Sequence, residues 1–334
     1  MFTNVLTHRG RNLSGVAASL LAVSVLFAAC KGEDNENPTT VSAGSNIAQL
    51  AGGNPQLTFL TAAVSRAGLN GTLSGNGTFT VFAPTDAAFQ AAGFANVAAV
   101  NAADPTTLSN ILLYHVISGT AVQSSAFPVA QTAYPTSLSA NPVLYVTKTS
   151  SGSASVNGAR IITPDVAATN GVVHVIDQVL LPPRGNVLQV VQADTSLSLL
   201  TTAALRGGAA VTGALGGTTP LTVFAPTNAA FRAAGLSSTT AINAAAVTTL
   251  TAILTNHVVT ASGGRIYTPM LTNAQAITTF GGGSVTATVG SNNAISLLSK
   301  GNGTNAANIL TGPANRDITA TNGVIHKIDR VLLP

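Results

Sequence analysis

Four histidines stand at matched positions in this 334-residue chain: His115 and His257, then His174 and His326. The second pair lies in NGVVHVIDQVLLP (Asn170–Pro182) and NGVIHKIDRVLLP (Asn322–Pro334), identical at ten of thirteen positions. With Asp177 and Asp329 three residues further on, these side chains have the types needed for general acid–base work or for a metal site. Their spacing argues against both. Side chains alternate along a strand, so Val172, His174, Ile176 and Leu180 share one face. A histidine among Val and Ile is most simply a hydrogen-bonded core residue. No carboxylate or second histidine lies at ligand spacing, so neither a metal nor a cofactor is expected. Nucleophilic and phosphate chemistry fare no better. There is no G-x-S-x-G elbow, and Gly281-Gly282-Gly283 and Gly301-Asn302-Gly303 lack the Lys-Ser/Thr end of a phosphate loop. Seven acidic residues lie outside segment 31–45, too few to favour an enzyme. No catalytic residue is assigned, and the chain is read as a non-enzyme.

The elements that position these residues occur twice. TVFAPTDAAFQAAG from Thr80 returns from Thr222 as TVFAPTNAAFRAAG, identical at twelve of fourteen positions. Two copies of one unit, each about 140 to 150 residues, share the chain. Apolar residues make up 46% of it, enough for a core. Charged residues make up only 7%, far below the usual quarter, and no basic cluster points to nucleic acid. In the first copy Leu57, Leu60, Ala63 and Val64 recur at helical spacing, with Gly68 and Asn70-Gly71 marking the stop. Phe79–Phe82 reads as a strand broken by Pro84, and Thr85 or Asp86 as the cap of the helix carrying Ala87, Ala88 and Phe89. Asn228 replaces Asp86 in the second copy, a change that suits a cap and not an acid. Asp104-Pro105 starts a helix whose Leu108, Ile111, Leu112 and His115 share one face, repeated as Leu250, Ile253, Leu254 and His257. Strands are expected at 143–149, 153–156 and 160–163, a tight hairpin at Asn157-Gly158, and a last strand from Val172 to Leu181. On that strand Val175 becomes Lys327, and a position accepting both is expected near solvent. The offset between copies is 142 at the histidine (257−115) and 152 at the last motif (322−170). Phe280–Gly283 and Lys300–Gly303 are the expected places for the ten extra residues.

The first 30 residues read as an export signal. Arg9 and Arg11 precede an apolar run, Val16–Ala29, too short to span a bilayer comfortably. Its removal lowers the net charge from +4 to +2. The run ends in Leu26-Phe27-Ala28-Ala29-Cys30, which resembles a bacterial lipobox, with Phe27 where that family prefers Leu, Val or Ile. Cys30, the only cysteine, is then the lipidated residue, and no disulfide is available. Residues 31–45 (KGEDNENPTTVSAGS) have no apolar bulk and form a flexible tether. Lys31 after the cysteine resembles outer-membrane lipoproteins, while Glu33-Asp34 resembles signals that send lipoproteins to the cell exterior.

Taken together, these motifs resemble fasciclin-like (FAS1) domains in tandem. Thr80–Phe89 and Thr222–Phe231 resemble the first family motif, and the two Asn-Gly blocks the second. Tyr114-His115 resembles the intervening Tyr-His motif, which reads Asn256-His257 in the second copy. The resemblance implies an α+β fold of two wedge domains, at 46–183 and 187–334, each a β-sandwich with packed helices. It also implies a role at cell surfaces or in extracellular matrix. The partners would be matrix, a glycan or a cell-surface protein, with the membrane engaged only through the lipid anchor. The alternative is a structural or scaffold envelope lipoprotein. Carried over by residue, the family's adhesive region falls on Tyr114, His115 and His257.

Overall fold

The strand that carries His174 is buried on both faces, and each domain is assembled around it. The computed structural model describes residues 44–139, 142–149, 151–260 and 264–334, and these described residues cluster as one compact unit. In the first domain three helices, α1 (Ile47–Gly53), α2 (Thr58–Arg66) and α3 (Asn70–Ser74), lead into β1 (Phe79–Pro84). Then come α4 (Asp86–Ala91), α5 (Val97–Ala102) and α6 (Pro105–Tyr114). The strands β2 (Val116–Ser118), β3 (Thr132–Pro135), β4 (Val143–Lys148), β5 (Ala154–Val156), β6 (Ala159–Ala168) and β7 (Gly171–Ile176) complete it. The second domain repeats the plan with α7 (Val187–Ala193), α8 (Ser198–Arg206), α9 (Ala209–Gly216), β8 (Leu221–Pro226), α10 (Asn228–Ala233), α11 (Thr239–Ala244) and α12 (Val247–Asn256). Its remaining strands are β9 (Val258–Val259), β10 (Gln275–Thr278), β11 (Ser284–Val289), β12 (Ile295–Ser299), β13 (Ala307–Asn308), β14 (Ile318–Ala320) and β15 (Gly323–Ile328).

β1 and β7 pair in parallel, as do β8 and β15. Parallel pairs are characteristically covered on both sides, and these are. Val81, Ala83, Val173 and Val175 pack beneath the helices, against Leu60, Phe89, Leu108 and Leu112. Phe82 and Ile176 face the other way, toward Leu144, Val146 and Val156 of the outer strands. The sandwich expected for each domain is formed by these two layers. In the first domain all seven strands join in the order β2-β1-β7-β6-β5-β4-β3, because β6 crosses between layers through two register shifts. In the second the matching segment is interrupted between β13 and β14, leaving two four-stranded sheets.

Local chemistry sets the element ends. Asn46 and Asn186 cap α1 and α7, each in a capping box with the glutamine three residues on, Gln49 or Gln189. Asp104 caps α6, with Pro105 at its first position. Asn157 and Gly158, at φ 46° and 85°, make the two-residue hairpin between β5 and β6. Gly171 lies so close to the Phe79 carbonyl across the parallel pair that a Cβ there would overlap it.

Several expectations are corrected. Val175 and Lys327 are both buried, because the helices cover that face of the sheet. The Lys327 side chain is paired inside with Asp194, its Nζ lying 2.6 Å from Asp194 Oδ2 and 3.1 Å from Ser196 Oγ. Thr85 and Thr227 are the caps of α4 and α10, whereas Asp86 and Asn228 reach back to the amides of Phe59 and Leu199. They therefore pin the preceding long helix. Asn70-Gly71 opens α3 instead of ending α2. The last strand stops at Ile176, and residues 177–182 run on irregularly. Lastly, residues 279–283 form a shorter connection than their counterpart 136–142. The growth of the second copy lies mainly at 298–306, where the first has only Asn157-Gly158, and at 309–316.

Candidate functional site

All four histidines are buried and committed to backbone groups. His115 caps the end of α6: its Nδ1 donates to the Ile111 carbonyl at 2.7 Å, and its Nε2 accepts from the Leu180 amide at 2.9 Å. His257 does the same with Ile253 and Leu332, both at 2.8 Å. Burial lowers both rings to a pKa of about 4, against the smaller opposing pull of the carbonyl. His174 Nε2 donates to Val122 O at 2.9 Å while its Nδ1 accepts from the Asp165 amide at 3.1 Å. His326 repeats this with Ile266 and Asp317. Asp165 and Asp317 lie 3.9 Å from these rings, as an ion pair would. The accepting Nδ1 fixes a neutral imidazole, and burial lowers both pKa values in spite of the carboxylates. Among the described residues no group of three His, Cys, Asp or Glu side chains could hold a metal.

Other residues of the repeated motifs belong to the same internal frame, and the sequence reading missed them. Thr80 Oγ1 donates to Thr120 O and accepts from Val122 N, both at 2.8 Å, and Thr222 repeats the arrangement. Asn170 accepts from the Ile47 amide and donates to Leu73 and Gly75 carbonyls, tying α1 and α3 to the start of β7. Asn322 does so for α7 and α9. The signal was present in the blocks themselves, since a Thr and an Asn kept in both copies have a polar duty beyond a turn.

The residues expected at an adhesive surface are placed inside. Tyr114, His115 and His257 are each no more than 1% exposed, so their side chains present no face to a partner. The reason is packing: α6 and α12 turn these side chains under the outer strands. Tyr114 instead reaches the joint between the domains. Its hydroxyl donates to Val143 O at 3.1 Å and accepts from Asn157 Nδ2 at 2.7 Å. Asn157 Oδ1 in turn accepts from the Tyr267 hydroxyl of the second domain at 3.3 Å. Burial raises both phenols well above their ordinary pKa, so both remain protonated donors. The Arg265 guanidinium lies 4.6 Å from the Tyr145 ring centroid across the same joint. Gly158, with φ of 85°, sits where any side chain would overlap Asp317. Arg160 bonds to Asn293. Asn256, at the position of Tyr114, is satisfied within its own domain by Ser299, Thr279 and Leu332.

Beside this joint lies a cleft of about 500 Å³ walled by both domains. Leu181, Pro182 and Arg184 line it from the end of the first domain and the linker, and Val190, Pro313 and Arg316 from the second domain. Cys30 and residues 31–43 lie outside the described residues.

Comparison with known proteins agrees with the geometry. The Fasciclin domain model matches twice, over residues 55–182 and 195–334. Protein sll1483 of Synechocystis sp. is 42% identical over 140 residues, covering 41% of this chain and 73% of that protein. The cell surface glycolipoprotein MPB83 of Mycobacterium bovis is 34% identical over 175 residues, covering 48% and 74%. Among solved structures, the FAS1 domain pair from the insect cell adhesion molecule fasciclin I covers 83% of this chain and 96% of that one, with 21% identity and a TM-score of 0.40. The chain belongs to the fasciclin domain family and carries two copies of the domain.

Proposed function

We propose that this protein is a surface-anchored adhesion protein that presents two fasciclin domains as one stiff body to matrix, polysaccharide or another cell. The observation that carries the reading is the interlocked joint, where Tyr114, Asn157 and Tyr267 form one buried hydrogen-bonded chain across the domains. A joint of this kind fixes the distance between two binding surfaces, and fixed spacing raises avidity when both engage. Every histidine outside the leader has its ring nitrogens occupied, so none is free to shuttle a proton, which supports binding over catalysis. Kinship with a cell surface glycolipoprotein supports display through lipidated Cys30. The adhesive faces must then be exposed surfaces, with Tyr114, His115 and His257 supporting them from within.

The test is binding of the purified domain pair to arrays of matrix proteins and polysaccharides, beside attachment of cells with and without the protein. Saturable binding to one class, lost when the domains are separated, is expected. No binding and unchanged attachment would leave the scaffold reading. For the anchor, intact mass of the membrane-extracted protein should show a lipidated Cys30, and Cys30→Ser should release it.

A further inference from the structure

We propose that the cleft between the domains is a binding site for a small amphipathic anion, with a carboxylate-type head and a short apolar tail. Its volume of about 500 Å³ lies within the range of roughly 300–1,000 Å³ usual for small-molecule sites. Part of the wall is apolar: Leu181 and Pro182 end the first domain, and Val190, Ala193, Pro313 and Ile318 belong to the second. Leu181 is left 42% exposed there. No aromatic ring lines the cleft among the described residues, which disfavours a sugar stacked on its wall.

Charge selects the head group. Two carboxylates line the cleft, and both are engaged. Asp194 is held by Lys327 at 2.6 Å, and Asp317 Oδ1 accepts from the Thr268 amide at 2.6 Å. Asp177, in the adjoining recess, is faced by Arg160 as well as Arg316. Arg184 and Arg316 remain as the cations of the cleft. Arg316 donates from Nη1 to Asn293 O at 3.3 Å, but its Nε is buried with no hydrogen-bond partner. The guanidinium fork of arginine matches a carboxylate's two oxygens, and Arg184, which is exposed, lines the same cleft as Arg316. The second domain alone has this wall: Pro313 and Arg316 lie in the 309–316 segment by which it outgrows the first. The added segment thus turns a domain boundary into a lined cleft.

The probe is decanoate, titrated calorimetrically into the exported protein carrying Cys30→Ser. One saturable site per chain is expected, weakening with added salt. Decanol should bind about tenfold more weakly, a loss of about 1.4 kcal/mol, and decyltrimethylammonium should not bind. Arg316→Met should abolish binding. Because that change also touches the 309–316 segment, Ala193→Phe, which fills the cleft from an exposed helix end, and Arg184→Gln serve beside it. Each should weaken decanoate while leaving the melting temperature in place. No saturable heat, equal binding of the cation, or binding untouched by Ala193→Phe and Arg184→Gln would overturn the proposal. So would recruitment to phosphatidylglycerol vesicles that decanoate does not compete. Adhesion through the outer surfaces is a separate matter, decided by the array whatever decanoate does.

Discussion

The two domains agree in a frame of buried Thr, Asn and His hydrogen bonds, and they differ most where they meet. Thr80, His115, Asn170 and His174 make the same bonds as Thr222, His257, Asn322 and His326. By contrast, the two-residue turn Asn157-Gly158 of the first domain becomes residues 298–306 in the second. A buried donor or acceptor left unpaired costs about 1–3 kcal/mol, whatever else a domain does. That penalty holds the frame constant in both copies. The hairpin lies outside that shared frame and is free to specialise. In the first domain it specialises as the socket for Tyr267 and Asp317.

The largest test of the shared frame is acid. His115 and His257 titrate near pH 4 folded and near 6.5 when unfolded. Between those values the unfolded chain binds more protons, so stability falls as pH drops from about 6.5 to 4, by on the order of 3 kcal/mol per histidine. Urea melts at pH 7 and pH 4.5 should show both domains weakening together. A response confined to one domain would break the parallel.

Next comes the position where the copies differ inside. Tyr114→Asn copies the second domain into the first, but the surroundings of Asn256 are absent there. The emptied volume and the stranded Asn157 amide should cost the first domain about 3 kcal/mol, read by thermal melting. If the loss is negligible, Tyr114 does not support the joint.

A smaller effect is expected at the buried ion pair. Lys327→Ala strands Asp194 and should cost the second domain about 1–3 kcal/mol. The double change Lys327→Val with Asp194→Asn restores the residue types of the first domain, Val175 and Asn54, and should return stability to within about 1 kcal/mol of the parent. A double-mutant cycle measures the difference.

Smallest of all, Asp86→Asn reproduces Asn228, which makes the same bond to the neighbouring helix. A shift in melting free energy within about 0.5 kcal/mol is expected, and a larger one would show that the charge of Asp86 matters.

Much of this was legible in the residues. The repeat, the capping at Asp104-Pro105, the Asn157-Gly158 hairpin and the inward face of His174 follow from local rules acting over a few positions. Lys327 did not. A lysine in a strand reads as solvent-facing, and only the helices packed over β15, with Asp194 at the end of α7, make it an internal ion pair. For Tyr114 the resemblance points to an adhesive contact, whereas the layer of outer strands places it inside. The cleft was the hardest to foresee. Its walls come from the end of one domain and a late segment of the other, more than 100 residues apart, and only the unequal copy lengths hinted at it.

The joint also bears on how neighbouring molecules meet. It is heterologous: the hairpin side of one domain receives the Tyr267 side of the next. Contacts of that kind, when repeated, grow into open filaments. Here the surfaces left over do not match. On the first domain Ala121 and Gln123 stand where the second has Arg265 and Tyr267, and on the second the receiving turn is replaced by residues 298–306. Molecules crowded side by side therefore lack the complementary faces to polymerise through this contact, and each remains a separate unit.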